Sequence, residues 1–91
     1  MVARLINVGF GNVVNSQKIV SVVNPDAAPI KRLIQTARSN DSLIDATQGR
    51  KTKSVIIMSD QHVILSAVQS ETIAKRFADA YYNNDQGENN E

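Results

Sequence analysis

The sequence predicts a small α+β domain: a mostly antiparallel β-sheet with two α-helices, assembling into a homo-oligomer. Three observations carry this. Five short segments rich in β-branched and aliphatic residues are bounded by Gly, Pro, Asn, Asp and Ser turn signals. Two other segments place apolar residues at helical spacing. At 91 residues the chain can build one modest core but not a catalytic cleft between two lobes.

In chain order, Arg4 to Val8 is a first short strand, followed by Gly9-Phe10-Gly11-Asn12 as a turn or bulge, where paired glycines permit positive φ. This is not a dinucleotide fingerprint: a third glycine is missing and no helix signal follows. Lys18 to Val23 is the second strand. Asn24-Pro25-Asp26 ends it and offers a helix cap. From about Ala28 to Arg38, Ile30, Leu33, Ile34 and Ala37 form one apolar stripe of a helix. Pro29 fits only in its first turn, where the missing N–H leaves no bond unmade. Lys31, Arg32, Gln35 and Arg38 face outward, and Arg38 suits the negative end of the helix dipole.

Leu43 to Ala46 is a third strand and Lys53 to Met58 a fourth, with Gln48-Gly49 in the hairpin turn between them. Ser59-Asp60-Gln61 turns into the fifth, His62 to Val68. Ser70 caps a closing helix with Glu71 in its first turn and Ile73, Phe77 and Tyr81 as its stripe. The domain spans residues 1–82. After Tyr82 the composition changes to NNDQGENNE, an acidic tail over 83–91 that buries too little apolar surface to order itself and weakly repels other negative charge.

Val55 to Met58 and Val63 to Val68 are apolar on both faces, whereas a sheet with one wet face alternates. Two short helices would cover one face and hardly both. The bare face would be a larger apolar patch than a monomer tolerates, so a second copy of the chain is expected to cover it.

The formal net charge of +1 hides an asymmetry. All ten Lys and Arg lie at or before Arg76, with only Asp26, Asp41, Asp45, Asp60 and Glu71 among them; this part is +5, and the remaining four acids follow it. Without cysteine there are no disulfides, thiolate metal sites or cysteine nucleophiles, which fits a cytoplasmic protein. The N-terminus has no signal-peptide pattern, and no run approaches the ~20 apolar residues of a membrane span. His62 is a lone histidine at a strand end; Asp45 and Asp60 each sit where aspartate serves its own backbone. No enzymatic activity, cofactor, metal or small-molecule substrate is implied.

The concentrated feature is Arg50-Lys51-Thr52-Lys53, three cations just after Gly49. Such a run also serves simply as a solvated tip. With Lys18 and the basic face of the first helix, however, it suits phosphate tracking on duplex DNA, with arginine able to read guanine edges. Single-stranded binding needs aromatic platforms. Phe77 and Tyr81 belong to the helix stripe, and Tyr82 and Phe10 lie far from the basic run in sequence. A structured-RNA module and a non-catalytic assembly protein with a protein partner are the alternative readings.

Leu5 to Asn12 (LINVGFGN), Ala28 to Ile34 (APIKRLI), Leu43 to Met58 (LIDATQGRKTKSVIIM) and His62 to Val68 (HVILSAV) resemble, in order and spacing, the RemA family of bacterial extracellular matrix regulators. The resemblance covers nearly all of Leu5 to Phe77. It implies a DNA-binding transcriptional regulator of matrix genes that forms a ring-like homo-oligomer around which duplex DNA wraps. It further implies DNA contacts at Lys18, Arg50 and Lys51, with Lys53 beside them, and a role for Pro29 exerted through the fold. Lys18 and Lys51 stand where the family has arginine, Gln48 where it has tyrosine and Ser70 where it has proline. Lysine keeps the charge and loses the bidentate fork.

Overall fold

The structure is a computed structural model that describes the backbone of residues 4–89 and the side chains of residues 4–80. Strands β1 (Leu5–Asn7) and β2 (Val13–Asn15) form an antiparallel hairpin. A 3-10 turn, Ser16–Lys18, leads into β3 (Ile19–Val23), α1 (Ala28–Ser39), β4 (Leu43–Asp45), β5 (Ser54–Met58), β6 (Val63–Ser66) and α2 (Ser70–Asn89). The second sheet has the order β3-β5-β6-β4, antiparallel except where β4 pairs with β6. The α+β class and the mostly antiparallel pairing are those expected from the sequence.

The two most apolar strands, β5 and β6, take the centre of that sheet, where both faces are dry. Side chains alternate between two cores. Val55, Val63 and Leu65 pack with Ala37 and the Ile30, Leu33 and Ile34 stripe of α1. Ile56 and Ile64 pack on the other side with Ile6 and Val8 of the hairpin segment, Ala46, and Ile73 of α2. Fully buried Ile56 and Ile73 each contribute about 1.5–3 kcal/mol through the apolar area they remove from water.

This arrangement corrects the expectation of a bare sheet face. Residues 4–16 fold over the face that α1 leaves open, together with α2, so no second copy is needed to cover β5 and β6. The strand that makes this possible, β2, has too few residues to show a period; its pairing with β1 (Ile6 opposite Val14) creates it.

A second correction concerns β4 and β5. They do not form a hairpin: β6 lies between them, and residues 46–53 cross from the sheet edge to its centre. The three-residue β4 has little to bury and takes the edge.

The helix termini differ in detail. The N-cap of α1 is Ala27, with no side-chain capping bond; Asn24 instead accepts the Asp26 N–H at 2.9 Å, closing a turn after β3. Pro29 sits in the first turn and Arg38 in the last, as the sequence predicts. The backbone of α2 is helical from Ser70 to Asn89. The side chains of Tyr81 and the acidic tail lie outside the described residues.

Candidate nucleic-acid interface

Asp45, the last residue of β4, builds the base of the basic loop. Its Oδ1 accepts from the Thr47 hydroxyl at 2.6 Å and the Thr47 N–H at 2.9 Å. These two bonds, the hydroxyl first, hold the Asp45 carboxyl below its ordinary pKa, with the Arg38 charge assisting. The Thr47 carbonyl then accepts from Arg50 N–H at 3.0 Å, across Gln48 and Gly49, which both have positive φ (54° and 80°). That is the φ pattern of a type I′ turn, and it projects Arg50 outward. The far end is fixed as well: Lys53 N–H donates to the Ser66 carbonyl at 2.8 Å. Arg50, Lys51 and Lys53 are exposed, and among the described residues no carboxylate stands within salt-bridge distance of them. Three uncompensated cations therefore sit on a loop ordered at both ends.

Two buried serines lock the β1–β2 hairpin beside this loop. Ser54 and Ser66 face each other across β5 and β6. The Ser66 hydroxyl donates to the Val8 carbonyl at 2.6 Å and accepts from Val68 N–H at 3.0 Å; the Ser54 hydroxyl donates to the Val68 carbonyl at 2.7 Å. Ser54 opens β5 and Ser66 closes β6, each bordering an apolar run, the one trace they leave in the sequence.

The Gly9–Asn12 turn follows directly. Asn12 N–H donates to the Gly9 carbonyl at 2.9 Å, and Asn7 Oδ1 accepts from Gly9 N–H at 2.6 Å. Gly9 has φ +117°, and a Cβ there would come within 3.3 Å of Val68 Cγ2, so glycine serves both conformation and clearance. Phe10 at the tip is 48% exposed, and the Arg50 guanidinium lies 5.7 Å from its ring centroid, a cation–π distance. The expectation that Phe10 stands apart from the basic run is thus overturned; a separation of 40 positions in the chain concealed the contact. Phe10, Arg50, Lys51 and Lys53 border one groove with Ala67 and Val68 in its lining. On the other side, Lys51 and Lys53 line a depression with Asn24–Asp26 and the start of α2.

Lys18 is not part of this cluster. It ends the 3-10 turn, exposed, with its carbonyl accepting from Ser59 N–H at 2.7 Å beside the β5–β6 turn. Since Ile19 pairs with Met58 and Ser59 N–H bonds the Lys18 carbonyl, Lys18 lies at the opposite end of β5 from Lys53, roughly 20 Å away at strand rise. Lys31, Arg32 and Arg38 lie on the exposed side of α1. Asp45 and Asp60 also occupy opposite ends of the sheet, so they form no carboxylate pair. Asp60 serves the β5–β6 turn, accepting from His62 N–H at 3.1 Å with His62 Nδ1 2.8 Å from its other oxygen; those two contacts hold its carboxyl below the ordinary value.

A family model described as RemA-like, extracellular matrix regulatory protein A-like, matches residues 5–77, and so takes in both sheets, the basic loop and the Phe10 turn. The chain belongs to the RemA-like family. Its relatives include extracellular matrix regulatory protein A of Bacillus subtilis, 53% identical over 78 residues that cover 86% of this chain and 88% of the relative. A Brevibacillus brevis relative is 59% identical over 76 residues, covering 84% and 88%. One from Clostridium botulinum is 58% identical over 78 residues, covering 86% of each. The RemA-like family is named for a regulatory role rather than a catalytic one. No helix among the described residues is long and apolar enough to cross a membrane.

Proposed function

We propose that this RemA-like protein is a cytoplasmic transcriptional regulator that grips duplex DNA with Arg50, Lys51 and Lys53, and that it acts as a ring-like homo-oligomer along which DNA is held or wrapped. The observation that carries the reading is the loop itself: three exposed cations without counterions, ordered before any partner arrives, so that little conformational entropy is lost on contact. Lys18 supplies a separate contact from the other end of the sheet. The name of the Bacillus subtilis relative supports extracellular-matrix genes as the class of target.

Three or four phosphate contacts per protomer give weak, salt-sensitive binding, which copies in one assembly multiply. Support for assembly comes from the sheet edges rather than its faces. The β3 edge carries Val20, 65% exposed, near Phe77, 40% exposed; the opposite β4 edge carries Ile44, 46% exposed. Unlike surfaces on opposite sides of a protomer favour head-to-tail contact, which closes into a ring when the rotation permits.

The test titrates wild type and the Arg50→Ala/Lys51→Ala double variant against one duplex at two salt concentrations, with mass measured in parallel. Wild type is expected to bind with a steep salt slope. The variant is expected to lose binding, with a slope smaller by about 0.9 per lost phosphate contact and an unchanged mass. Equal affinity and slope would remove the loop from the interface, and a collapsed mass would assign it to subunit contact. Tighter binding to structured RNA than to duplex DNA would transfer the function to RNA.

A further inference from the structure

Phe10 occupies a position that a phenylalanine is poorly suited to. Its φ is +54°, flanked by Gly9 and Gly11 at +117° and +78°, in the left-handed region where a bulky side chain is an outlier and Gly or Asn is at ease. The ring repays this with no core contact: it belongs to neither apolar cluster and is half exposed. The turn's own bonds run through the backbone and through Asn7 and Asn12, so the Phe10 side chain is not needed to close it. What the ring does have is a place beside Arg50, 5.7 Å away, on the rim of the groove that Lys51 and Lys53 share.

We propose that Phe10 is the apolar contact of the nucleic-acid interface, its ring packing against the sugars and bases of the duplex whose phosphates Arg50, Lys51 and Lys53 hold. This deepens the DNA-binding reading above and rests on it. Cations sharing one groove with an aromatic match the surface of a nucleic acid, where charged phosphates border flat, apolar sugar and base faces. The cation–π contact keeps the Arg50 guanidinium alongside the ring while its hydrogen-bond donors remain available for phosphate. A solvated tip kept basic for solubility has no use for a strained, exposed aromatic. Sequence distance set Phe10 aside; the serine bonds that draw the hairpin onto β6 bring it in.

The test is the Phe10→Asn variant beside Arg50→Ala, both titrated with duplex DNA across a salt series, with thermal midpoints recorded. Asn tolerates positive φ, so the midpoint of Phe10→Asn is expected to stay level or rise. Its affinity is expected to fall at least about tenfold, the scale of one lost aromatic contact. Its salt slope is expected to match wild type because no phosphate contact is removed, whereas Arg50→Ala lowers the slope by about 0.9. Unchanged affinity, a slope reduced as in Arg50→Ala, or a lowered midpoint would each overturn the proposal; the second would mean that the ring acts only through Arg50. Wild type that fails to bind duplex would instead sink the DNA reading, before any variant is compared.

Discussion

At the residue scale, the basic loop depends on one aspartate more than on its own cations. Asp45 ties Thr47 by side chain and backbone, and Thr47 in turn closes the turn that presents Arg50. Because these bonds depress the Asp45 pKa in the folded state, its contribution to stability is fully present above the ordinary carboxylate value. It is lost as pH falls through the lower folded value. Asp45→Asn is therefore expected to have a lower thermal midpoint than wild type at neutral pH. The gap should narrow as pH falls through the depressed folded value, where wild type loses the charge as well. Midpoints measured across that range check this, and a gap that persists undiminished in acid would mean that the carboxylate charge is not what stabilises the turn.

At the element scale, α2 changes what the acidic tail can do. Charge counting along the chain sets the acids after Phe77 against the basic run as a loose appendage. The helix instead starts at Ser70, beside Lys51 and Lys53, and continues to Asn89. At 1.5 Å per residue, its axis carries residue 85 roughly 20 Å from Ser70, beyond the ~8 Å Debye length at physiological salt. The repulsion expected from composition is therefore largely screened. Truncation after Tyr82 is expected to change duplex affinity less than about twofold at physiological salt, and to raise it only when ionic strength is low enough for the field to reach. An affinity that falls on truncation would give the tail a contact of its own with DNA or with a neighbouring protomer.

At the scale of the whole molecule, both faces of the central strands are filled from within, so assembly falls to the protomer's outer surface, where the sheet edges expose Val20 and Ile44. Wild type is expected to be a closed homo-oligomer at micromolar concentration. Val20→Glu, on the β3 edge, is expected to reduce its mass while leaving the protomer folded: the side chain is 65% exposed, and surface substitutions usually shift stability by only about 0.5 kcal/mol. Light scattering of both proteins with circular dichroism as the folding control decides it. A monomeric wild type would exclude the ring; an unchanged mass in Val20→Glu would move the contact to the β4 edge or the hairpin.

The sequence by itself determined what depends on neighbours in the chain. The α1 stripe of Ile30, Leu33, Ile34 and Ala37, the place of Pro29, the centrality of Val55–Met58 and Val63–Ser66, and the exposed cations after Gly49 all follow from periodicity and turn chemistry within a few residues. Only the tertiary structure decided the order of the strands, the pairing that makes β2 a strand, the covering of the second sheet face, the distance of Lys18 from the basic loop and the meeting of Phe10 with Arg50. Those outcomes rest on which segments win the doubly buried central positions and on hydrogen bonds such as Ser66 to Val8, 58 residues apart. A local pattern records which side of an element is apolar; it holds no record of which distant element will come to rest against it.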